Sequence, residues 1–310
     1  MIILVTGGEG QLASCLKSSH KNIENKWIFL SKKELDITNV ENVGEVFEKY
    51  EPDVIINCAA YTNVEKAEED KETAKLVNAI GPKVLAQCAR HYNAKLIHIS
   101  TDFVFNGDKH LPYRYDDRIR ALSYYGKSKI EGENNIKNYD NAYIIRTSWL
   151  YSEYGHNFFK TMYNRVKNGE KTFVVNDQIG TPTYARDLAN FIIYIIENNT
   201  LENTKTHILH FSNEGCCSWY DFAKSIEIEY NRFHGDESLY KNIIKPISTL
   251  DYRIMLGRYT AERPFYSVLN NEGIEIIYDK PVRHWLEAMS DCYVRNRKLN
   301  SINNYFNLNN

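Results

Sequence analysis

The feature that most constrains the fold is a glycine-rich turn directly after a short apolar run. Residues 2–6, "IILVT", read as a buried strand, and Gly7, Gly10 and Ala13 follow at the start of an expected helix. Glycines let the backbone approach a diphosphate, and a helix N-terminus offers free N–H groups and the positive end of a dipole. This strand–turn–helix unit therefore indicates a dinucleotide-binding site.

Apolar runs alternate with amphipathic segments along the chain. Strands are predicted at 2–6, 26–30, 53–59, 95–100, 141–150 and 206–211, and helices from about 10 and at 41–50, 70–92, 157–168, 185–198 and 218–230. Such alternation favours a parallel sheet with helices on both faces. The predicted fold class is α/β, a Rossmann-like doubly wound parallel sheet with a smaller C-terminal lobe.

The composition is that of an ordinary globular protein. Of 310 residues, 43% are hydrophobic and 25% are charged, and the formal net charge is -2. This balance gives no electrostatic reason to expect nucleic acid or a membrane surface. The cysteines lack C-x-x-C and metal-ligand spacing, which favours free thiols in a reducing cytosol. We expect a cytoplasmic protein without a metal site, and without a nucleic-acid or membrane partner.

A tyrosine–lysine pair within "YYGKSK" suggests acid–base chemistry. Tyr125 and Lys129 share one helix face, because they are four residues apart. A cation at that distance would lower the pKa of the phenol from its usual value of about 10. However, the chain has 23 tyrosines, and the same spacing recurs at Tyr163 and Tyr220. Taken alone, the pair is compatible with coincidence.

The order of the motifs resembles the extended short-chain dehydrogenase/reductase superfamily. "NCAAYTNVEKAEED" follows the third strand, "ISTDFVFNGD" ends the fourth, and Tyr125 follows that strand end, unlike the other two tyrosines of the same spacing. Within it, "GGEGQLA", "LDIT", "STDFVFNGD", "YYGKSKIEGE", "DQIGTPTYARDLA" and "ERPFYSVL" together resemble the dTDP-4-dehydrorhamnose reductase family, from residue 1 to about 285. Phe103, Glu65 and Ala121 depart from the usual tyrosine, aspartate and proline of that pattern.

The resemblance implies a reaction and residue roles. It implies NADPH-dependent reduction of the C4 keto group of a nucleotide-linked 6-deoxy-4-keto sugar, dTDP-4-dehydro-L-rhamnose giving dTDP-L-rhamnose for surface polysaccharide synthesis. Tyr125 would give its proton to the developing alkoxide, and Lys129 would hold the nicotinamide ribose and keep the phenol acidic. Thr101 would hydrogen-bond the carbonyl oxygen, and Asp102 would bind a sugar hydroxyl. The plainer alternative for "STD" is a capped strand-end turn.

The resemblance also implies substrate contacts beyond the catalytic motif. Trp149, at the end of the fifth strand, would pack on the apolar face of the sugar, with a core aromatic as the alternative. Asn157 would contact the diphosphate, with a helix cap as the alternative. Residues 1–150 would form the dinucleotide-binding core and 151–290 most of a substrate-binding lobe, with some segments returning to the core. Residues 291–310 read as a frayed polar tail.

The expected cofactor is NADPH, with NADH accepted less well. An NAD-selective site usually carries an acid at the end of the second strand, where Ser31, Lys32 and Lys33 stand instead. Solvated lysines are the plainer alternative. The residues expected to contact the cofactor are Gly7, Gly10, Gln11, Leu12, Ser31, Lys32, Asp36, Ile37, Ala59, Ala60, Thr62, Tyr125 and Lys129.

Two other functions fit parts of the pattern. An epimerase or dehydratase on the same fold would recycle a tightly held NAD, but dehydratases usually carry an acid where Phe103 stands. A non-catalytic NADP-binding regulatory subunit, like that of methionine adenosyltransferase, would not need Thr101, Tyr125 and Lys129 intact. The expected partner is a nucleotide-sugar substrate, and both a monomer and a homodimer stay open.

Overall fold

The main sheet of the protein is parallel, with the strand order β10-β5-β4-β3-β1-β2. The computed structural model describes residues 1–198, 200, 207–234 and 242–308, with side chains described as far as residue 301. The strands of this sheet are β1 (Ile2–Thr6), β2 (Lys26–Leu30), β3 (Val54–Asn57), β4 (Lys95–Thr101), β5 (Ala142–Thr147) and β10 (His207–His210). The predicted α/β class is confirmed, and every predicted strand is present. However, the segment predicted as one strand over 141–150 ends at Thr147, and Leu150 already belongs to a separate two-stranded sheet. Residue 206 of the predicted strand 206–211 lies outside the described residues.

Helices cover both faces of this sheet. On one face lie α1 (Gln11–Ser19) and α8 (Ala185–Glu197), and on the other α2 (Val40–Tyr50), α5 (Gly81–His91) and α6 (Tyr124–Ile136). In β1, Ile3 and Val5 pack with the first set of helices, whereas Leu4 packs with the second. Successive strand side chains point to opposite faces, so a continuously apolar strand buries both of its faces. The doubly wound architecture follows from these apolar runs.

The segment predicted as one helix over 70–92 is interrupted. It consists of α4 (Lys71–Lys75), a π-helical turn (Leu76–Ile80) and α5. Asn78 is buried in the turn, and its Nδ2 donates to the Ser128 hydroxyl on α6 at 3.0 Å. A Cβ at Gly132 of α6 would lie 2.1 Å from the Asn78 carbonyl oxygen. The π-helical turn therefore packs directly on the helix that carries the tyrosine–lysine pair.

Further elements lie outside the main sheet, and several of them build a second core. These elements are α3 (Val64–Glu69, which packs on α6), β6 (Leu150–Tyr151), α7 (Phe158–Asn168), β7 (Thr172–Val175), β8 (Ile179–Gly180), β9 (Thr183–Tyr184), β11 (Cys217–Ser218), α9 (Trp219–His234), β12 (Ile244–Ile247), α10 (Thr249–Leu256), α11 (Ile274–Ile277, which packs on the core of the main sheet) and α12 (Trp285–Leu308). Aromatic side chains, including Tyr151, Phe159 and Phe222, dominate the core around α7, α9 and α12. The predicted helices at 157–168, 185–198 and 218–230 are confirmed as α7, α8 and α9.

The predicted frayed tail from residue 291 is wrong for its first part. Helix α12 continues through this segment, and Cys292, Tyr293 and Asn296 are at most 1% exposed. The polar composition concealed a few apolar positions that pack against α9 and β9. Like the other helices in the described part of the chain, α12 is not long and apolar enough to cross a membrane.

Candidate active site

The end of β4 and the start of α6 bring the predicted catalytic residues together. Thr101 is the last residue of β4, Tyr125 lies in the first turn of α6, and Lys129 lies one turn further on. Ser123 caps the start of the helix, because its side-chain oxygen accepts the N–H of Gly126 at 3.3 Å. A Cβ at Gly126 would lie 2.3 Å from a backbone carbonyl oxygen in the turn after β4. Glycine at this position therefore permits the close approach of helix and strand end.

Tyr125 is a buried phenol. Only 9% of its surface is exposed, and the ring of Phe103 packs edge-on at a centroid distance of 5.5 Å. Burial raises the pKa of Tyr125 to about 12, hydrogen bonding to Thr101 lowers it, and the charge of Asp102 raises it. The phenol is protonated at neutral pH, which is the state that a proton donor requires.

Lys129 does not lower the pKa of Tyr125, contrary to the prediction from their spacing. Its Nζ donates to the carbonyl oxygen of Ile99 at 2.7 Å and lies 3.3 Å from His98 Nε2. Burial lowers the pKa of Lys129 to about 8, and the charge of Glu133 opposes this change. The prediction considered only the short distance between the phenol and the lysine cation on one helix face. It neglected the removal of both groups from water, which disfavours the charged form of each.

Asp102 lies beside the proposed proton donor with an unused oxygen. It is 1% exposed, and its Oδ1 accepts the Thr101 hydroxyl at 3.1 Å. Its Oδ2 has no hydrogen-bond partner among the residues that the structure describes. Burial raises the pKa of Asp102 to about 6, against the effect of the Ser267 and Thr101 hydroxyls. A buried carboxylate oxygen without a donor suits a ligand hydroxyl, in agreement with the predicted role.

The turn between β1 and α1 has a form that fits a dinucleotide diphosphate. Gly7 has a φ of +61°, and a Cβ there would lie 2.9 Å from the backbone nitrogen of Ala59. Gly10 precedes α1 without a side-chain cap, and the first turn of α1 contains no acidic residue. The N–H groups of Gln11 and Leu12 therefore meet no capping side chain, and no acidic residue in that turn would repel a bound phosphate. Donors of this kind are what a diphosphate group needs.

The loop after β2 contains the predicted adenosine-side residues. Ser31 donates both its N–H, at 2.8 Å, and its hydroxyl, at 2.7 Å, to the carboxylate of Glu34. These hydrogen bonds lower the pKa of Glu34. Lys32 and Lys33 are exposed beside them. The loop thus exposes two lysine ammonium groups, whereas the carboxylate of Glu34 is already hydrogen-bonded to Ser31.

The other predicted cofactor residues lie on neighbouring loops of the same sheet edge. Asp36 accepts the N–H and the hydroxyl of Thr38 at 3.0 and 2.7 Å. Ile37 is 3% exposed and belongs to the core on the face of the sheet that α2 and α5 cover. Ala59, Ala60 and Thr62 follow β3, which is hydrogen-bonded to β1. Because parallel strands end at one edge, these loops converge on the glycine turn.

Trp149 lies just after β5 in an unusual conformation. Its φ is +45°, which is uncommon for a residue other than glycine. Its indole stacks on Trp219 with ring centroids 3.6 Å apart, and a Cβ at Gly180 would lie 2.5 Å from the ring. The ring is half-buried and packs on the second core. This position is compatible with both predicted roles, core packing and a sugar platform.

The Asn157 side chain serves as a helix cap. Its Oδ1 accepts the N–H of Lys160 at 3.0 Å, and its Nδ2 donates to Gln11 Oε1 at 3.2 Å and to two backbone carbonyl oxygens. Gln11 Nε2 in turn donates to the carbonyl oxygen of Leu150 at 3.1 Å. The two side chains thus link α1 to α7 and β6. The capping alternative is confirmed, and the predicted diphosphate contact of Asn157 stays a prediction.

Comparison with known proteins assigns the chain to a family. The family model described as "RmlD substrate binding domain" matches residues 1–297. The chain belongs to the RmlD family. A dTDP-4-dehydrorhamnose reductase from Aggregatibacter actinomycetemcomitans is 39% identical over 294 residues, which cover 93% of this chain and 97% of that one. The spore coat polysaccharide biosynthesis protein SpsK of Bacillus subtilis is 38% identical over 296 residues, covering 95% and 97%.

A solved member of the RmlD family has the same fold. The dTDP-4-dehydrorhamnose reductase of Bacillus anthracis, determined in complex with NADP, superposes with a TM-score of 0.84 at 35% identity. The match covers 95% of this chain and 99% of that one. The predicted family resemblance is confirmed.

The departures from the RmlD family pattern occupy supporting positions. Phe103 packs on Tyr125, as described above. Glu65 forms an ion pair with Arg263 at 2.7 Å and accepts the N–H of Ala261 at 2.8 Å. Glutamate thus ties α3 to the segment before "RPFYSVL". These contacts show that the substituted side chains are integrated into the packing of the site.

Sequence reasoning missed the polar neighbours of the catalytic pair in this RmlD-family chain. His98 has no neighbours at metal-ligand spacing in the sequence, yet it is fully buried and faces Lys129. Asn57 and Thr6 lie beside it at the ends of neighbouring strands. A polar residue inside an otherwise apolar strand, as in "KLIHIS", was the available indication, because a buried polar group needs a partner.

Proposed function

We propose that this protein catalyses the NADPH-dependent reduction of the C4 keto group of a nucleotide-linked 6-deoxy-4-keto sugar. The substrate proposed is dTDP-4-dehydro-L-rhamnose and the product dTDP-L-rhamnose, for surface polysaccharide synthesis. Full-length relatives named as dTDP-4-dehydrorhamnose reductases support this proposal. The observation that carries it is the buried cluster of Thr101, Tyr125 and Lys129 beside an uncapped glycine turn.

The proposed chemistry separates the roles of the site residues. Bound NADPH would supply the hydride. Tyr125 gives its proton to the sugar oxygen as charge develops there, because a phenol is a stronger acid than the sugar alcohol that forms. The Thr101 hydroxyl would turn its proton from Asp102 Oδ1 to the same sugar oxygen, which stabilises the negative charge of the transition state. Asp102 orients the sugar by accepting a hydroxyl at its free Oδ2.

The proposed cofactor site joins the glycine turn to the loops after β2 and β3. The first-turn N–H groups of α1 would hold the diphosphate. Lys129 would hold the nicotinamide ribose, and Ser31, Lys32 and Lys33 would face the adenosine end. The NADP complex of the Bacillus anthracis relative supports NADPH as the cofactor. Residues 1–150 would thus bind the cofactor, and 151–290 would contribute most of the sugar pocket.

The remaining parts of the proposal concern location and assembly. A biosynthetic reductase that uses NADPH and a nucleotide sugar would work in the cytoplasm, where both are made. A homodimer is proposed as one assembly compatible with this activity. Gel filtration with light scattering on the purified full chain would distinguish it from a monomer.

The proposal is tested with purified protein and a panel of 4-keto-6-deoxy nucleotide sugars. NADPH oxidation should require the keto sugar, and the product stereochemistry should be that of dTDP-L-rhamnose. Tyr125→Phe should lower kcat by roughly 10²–10⁴-fold, because that is the usual value of general acid catalysis, while NADPH affinity is kept. Tyr124→Phe is the matched control and should keep its rate.

Two results would contradict the proposal. A protein that binds NADPH but reduces no keto sugar would favour the regulatory-subunit alternative. A protein that carries tightly bound NAD and releases an epimer or a dehydrated sugar would favour the epimerase or dehydratase alternative. Loss of turnover in Tyr124→Phe, with Tyr125→Phe unaffected, would overturn the assignment of the proton donor.

A further inference from the structure

A row of buried polar side chains crosses the carboxyl edge of the sheet and ends at Lys129. The strand register aligns Thr6 with Asn57, and Asn57 with His98, across β1, β3 and β4. Thr6 Oγ1 donates to Asn57 Oδ1 at 2.7 Å, and Asn57 Nδ2 lies 3.0 Å from His98 Nδ1. His98 Nε2 lies 3.3 Å from Lys129 Nζ. Each of the four residues is at most 2% exposed, so the row must satisfy its own hydrogen bonds.

The hydrogen bonds of Thr6 determine which atom donates and which accepts along the row. The Thr6 hydroxyl oxygen accepts the N–H of Ala59 at 3.2 Å, which leaves its proton for Asn57 Oδ1. Asn57 then presents its NH₂ group to His98 Nδ1, so Nδ1 is an acceptor. Burial and the charge of Lys129 lower the pKa of His98 well below its usual value, so the ring is neutral. Its one proton is therefore on Nε2.

The protonated Nε2 faces the amine of Lys129. An N–H group can only donate, and an ammonium group offers no acceptor. The 3.3 Å contact is therefore a hydrogen bond only when Lys129 is a neutral amine that accepts from His98 and donates to Ile99. The lowered pKa of Lys129, about 8, agrees with this arrangement.

We infer that His98 is a positioning residue for Lys129. His98 donates from Nε2 to the lysine amine and favours the neutral form of that amine. Through Asn57 and Thr6, it also ties Lys129 to the glycine turn. This inference rests on the proposed function for the step in which Lys129 acts. Above about pH 8, where the amine is neutral, the row holds it in one place. Protonation of the amine turns the His98 contact into an unfavourable approach of two donors, so His98 opposes the charged form.

Other ionisable groups around Lys129 are occupied elsewhere or act in the opposite direction. Glu133 of the same helix favours the charged lysine, but it is also paired with Arg146 at 2.8 Å. The charge of Asp102, directly after β4, acts on Tyr125 and raises its pKa. On the elements packed against α6, Glu68 accepts the Tyr124 N–H, Lys75 pairs with Glu131, and Arg90 binds the carbonyl oxygen of Asn138.

The competing arrangement places the proton of His98 on Nδ1 and makes Nε2 an acceptor for a lysine ammonium. It requires the Asn57 amide to turn round, so that Nδ2 faces the Thr6 hydroxyl. That hydroxyl would then accept two N–H groups, and its proton would have no acceptor among the described residues. The two arrangements differ in the tautomer of one ring, which is directly measurable.

The first test is ¹⁵N NMR of the wild-type full chain with labelled histidine. The signals assigned to His98, by their loss in His98→Gln, should show a neutral ring protonated at Nε2. A ring protonated at Nδ1, or a charged ring at neutral pH, would overturn the inference. This measurement needs neither substrate nor turnover.

The second test is the pH dependence of NADPH affinity. In the wild type, affinity should fall as Lys129 loses its proton near pH 8. In His98→Gln, a carbonyl oxygen at the position of Nε2 can accept from the ammonium group. The break, meaning the pH at which NADPH affinity begins to fall, should therefore move up by about one pH unit, a typical effect of a changed neighbour. An unchanged break in a folded variant would overturn the inference.

His210→Gln provides the matched control. His210 is 2% exposed and its Nε2 lies 3.4 Å from the Arg146 guanidinium, so it too is a buried imidazole facing a cation, but on β10. Its replacement should leave the break where it is in the wild type. A wild type that binds NADPH but reduces no keto sugar would refute the proposed function, while the tautomer and the position of the break would still decide the role of His98.

Discussion

Replacing Asp102 by asparagine isolates the free-energy cost of burying one carboxyl group beside the proposed proton donor. Burial raises the pKa of Asp102 from 3.8 to about 6. The folded protein therefore binds this proton more tightly than the unfolded chain, and stability falls as pH rises through that interval. Each tenfold change in proton affinity is worth about 1.4 kcal/mol, so the full effect is about 3 kcal/mol. Asparagine cannot ionise, so the free energy of unfolding of the variant does not fall with pH through this group.

The measurement is the free energy of unfolding of both proteins by denaturant titration from about pH 4 to about pH 7. The variant minus wild-type difference should rise across this range by up to about 3 kcal/mol. Altered hydrogen bonding by the amide adds an offset that does not depend on pH. The slope of the difference therefore reports the buried charge alone.

Asp36→Asn is a control of opposite sign. Burial acts to raise the pKa of Asp36, but hydrogen bonds from Thr38 and the charge of Lys32 outweigh it and lower that pKa. Its carboxylate therefore stabilises the protein more as pH rises, and the Asp36→Asn difference should fall where the Asp102→Asn difference rises. A flat or falling difference for Asp102→Asn would refute the reasoning from burial.

The remaining predictions concern the cofactor loops. One well-placed lysine at Lys32 or Lys33 should favour NADPH over NADH by roughly 10- to 100-fold in kcat/KM. The double alanine variant should lose this ratio and Glu34→Gln should increase it, whereas an unchanged ratio in the double variant would exclude both lysines. Gly7→Ala should destabilise the protein by at least about 1–2 kcal/mol in thermal unfolding, because its φ is +61°. Gly44→Ala, in open space on α2, should instead raise the melting temperature, and equal effects at both glycines would contradict the strain argument.

Local sequence determined the framework of this protein. Apolar runs such as Val54–Asn57 had to become strands buried on both faces, and the glycine turn had to join a strand to a helix. The four-residue spacing of Tyr125 and Lys129 fixed their common helix face. These features depend on short-range geometry, which a sequence displays directly.

Tertiary structure alone decided how those side chains act. The pKa of Tyr125 moved against the sequence-based expectation, because burial by distant segments outweighs charge spacing within one helix, and the same burial lowers the pKa of Lys129. Likewise, Asn157 became a cap joined to Gln11, and His98 was aligned with Asn57 by strand register and with Lys129 by the packing of α6 on β4. Burial and register arise from contacts between residues far apart in the chain, so no local pattern could have revealed them.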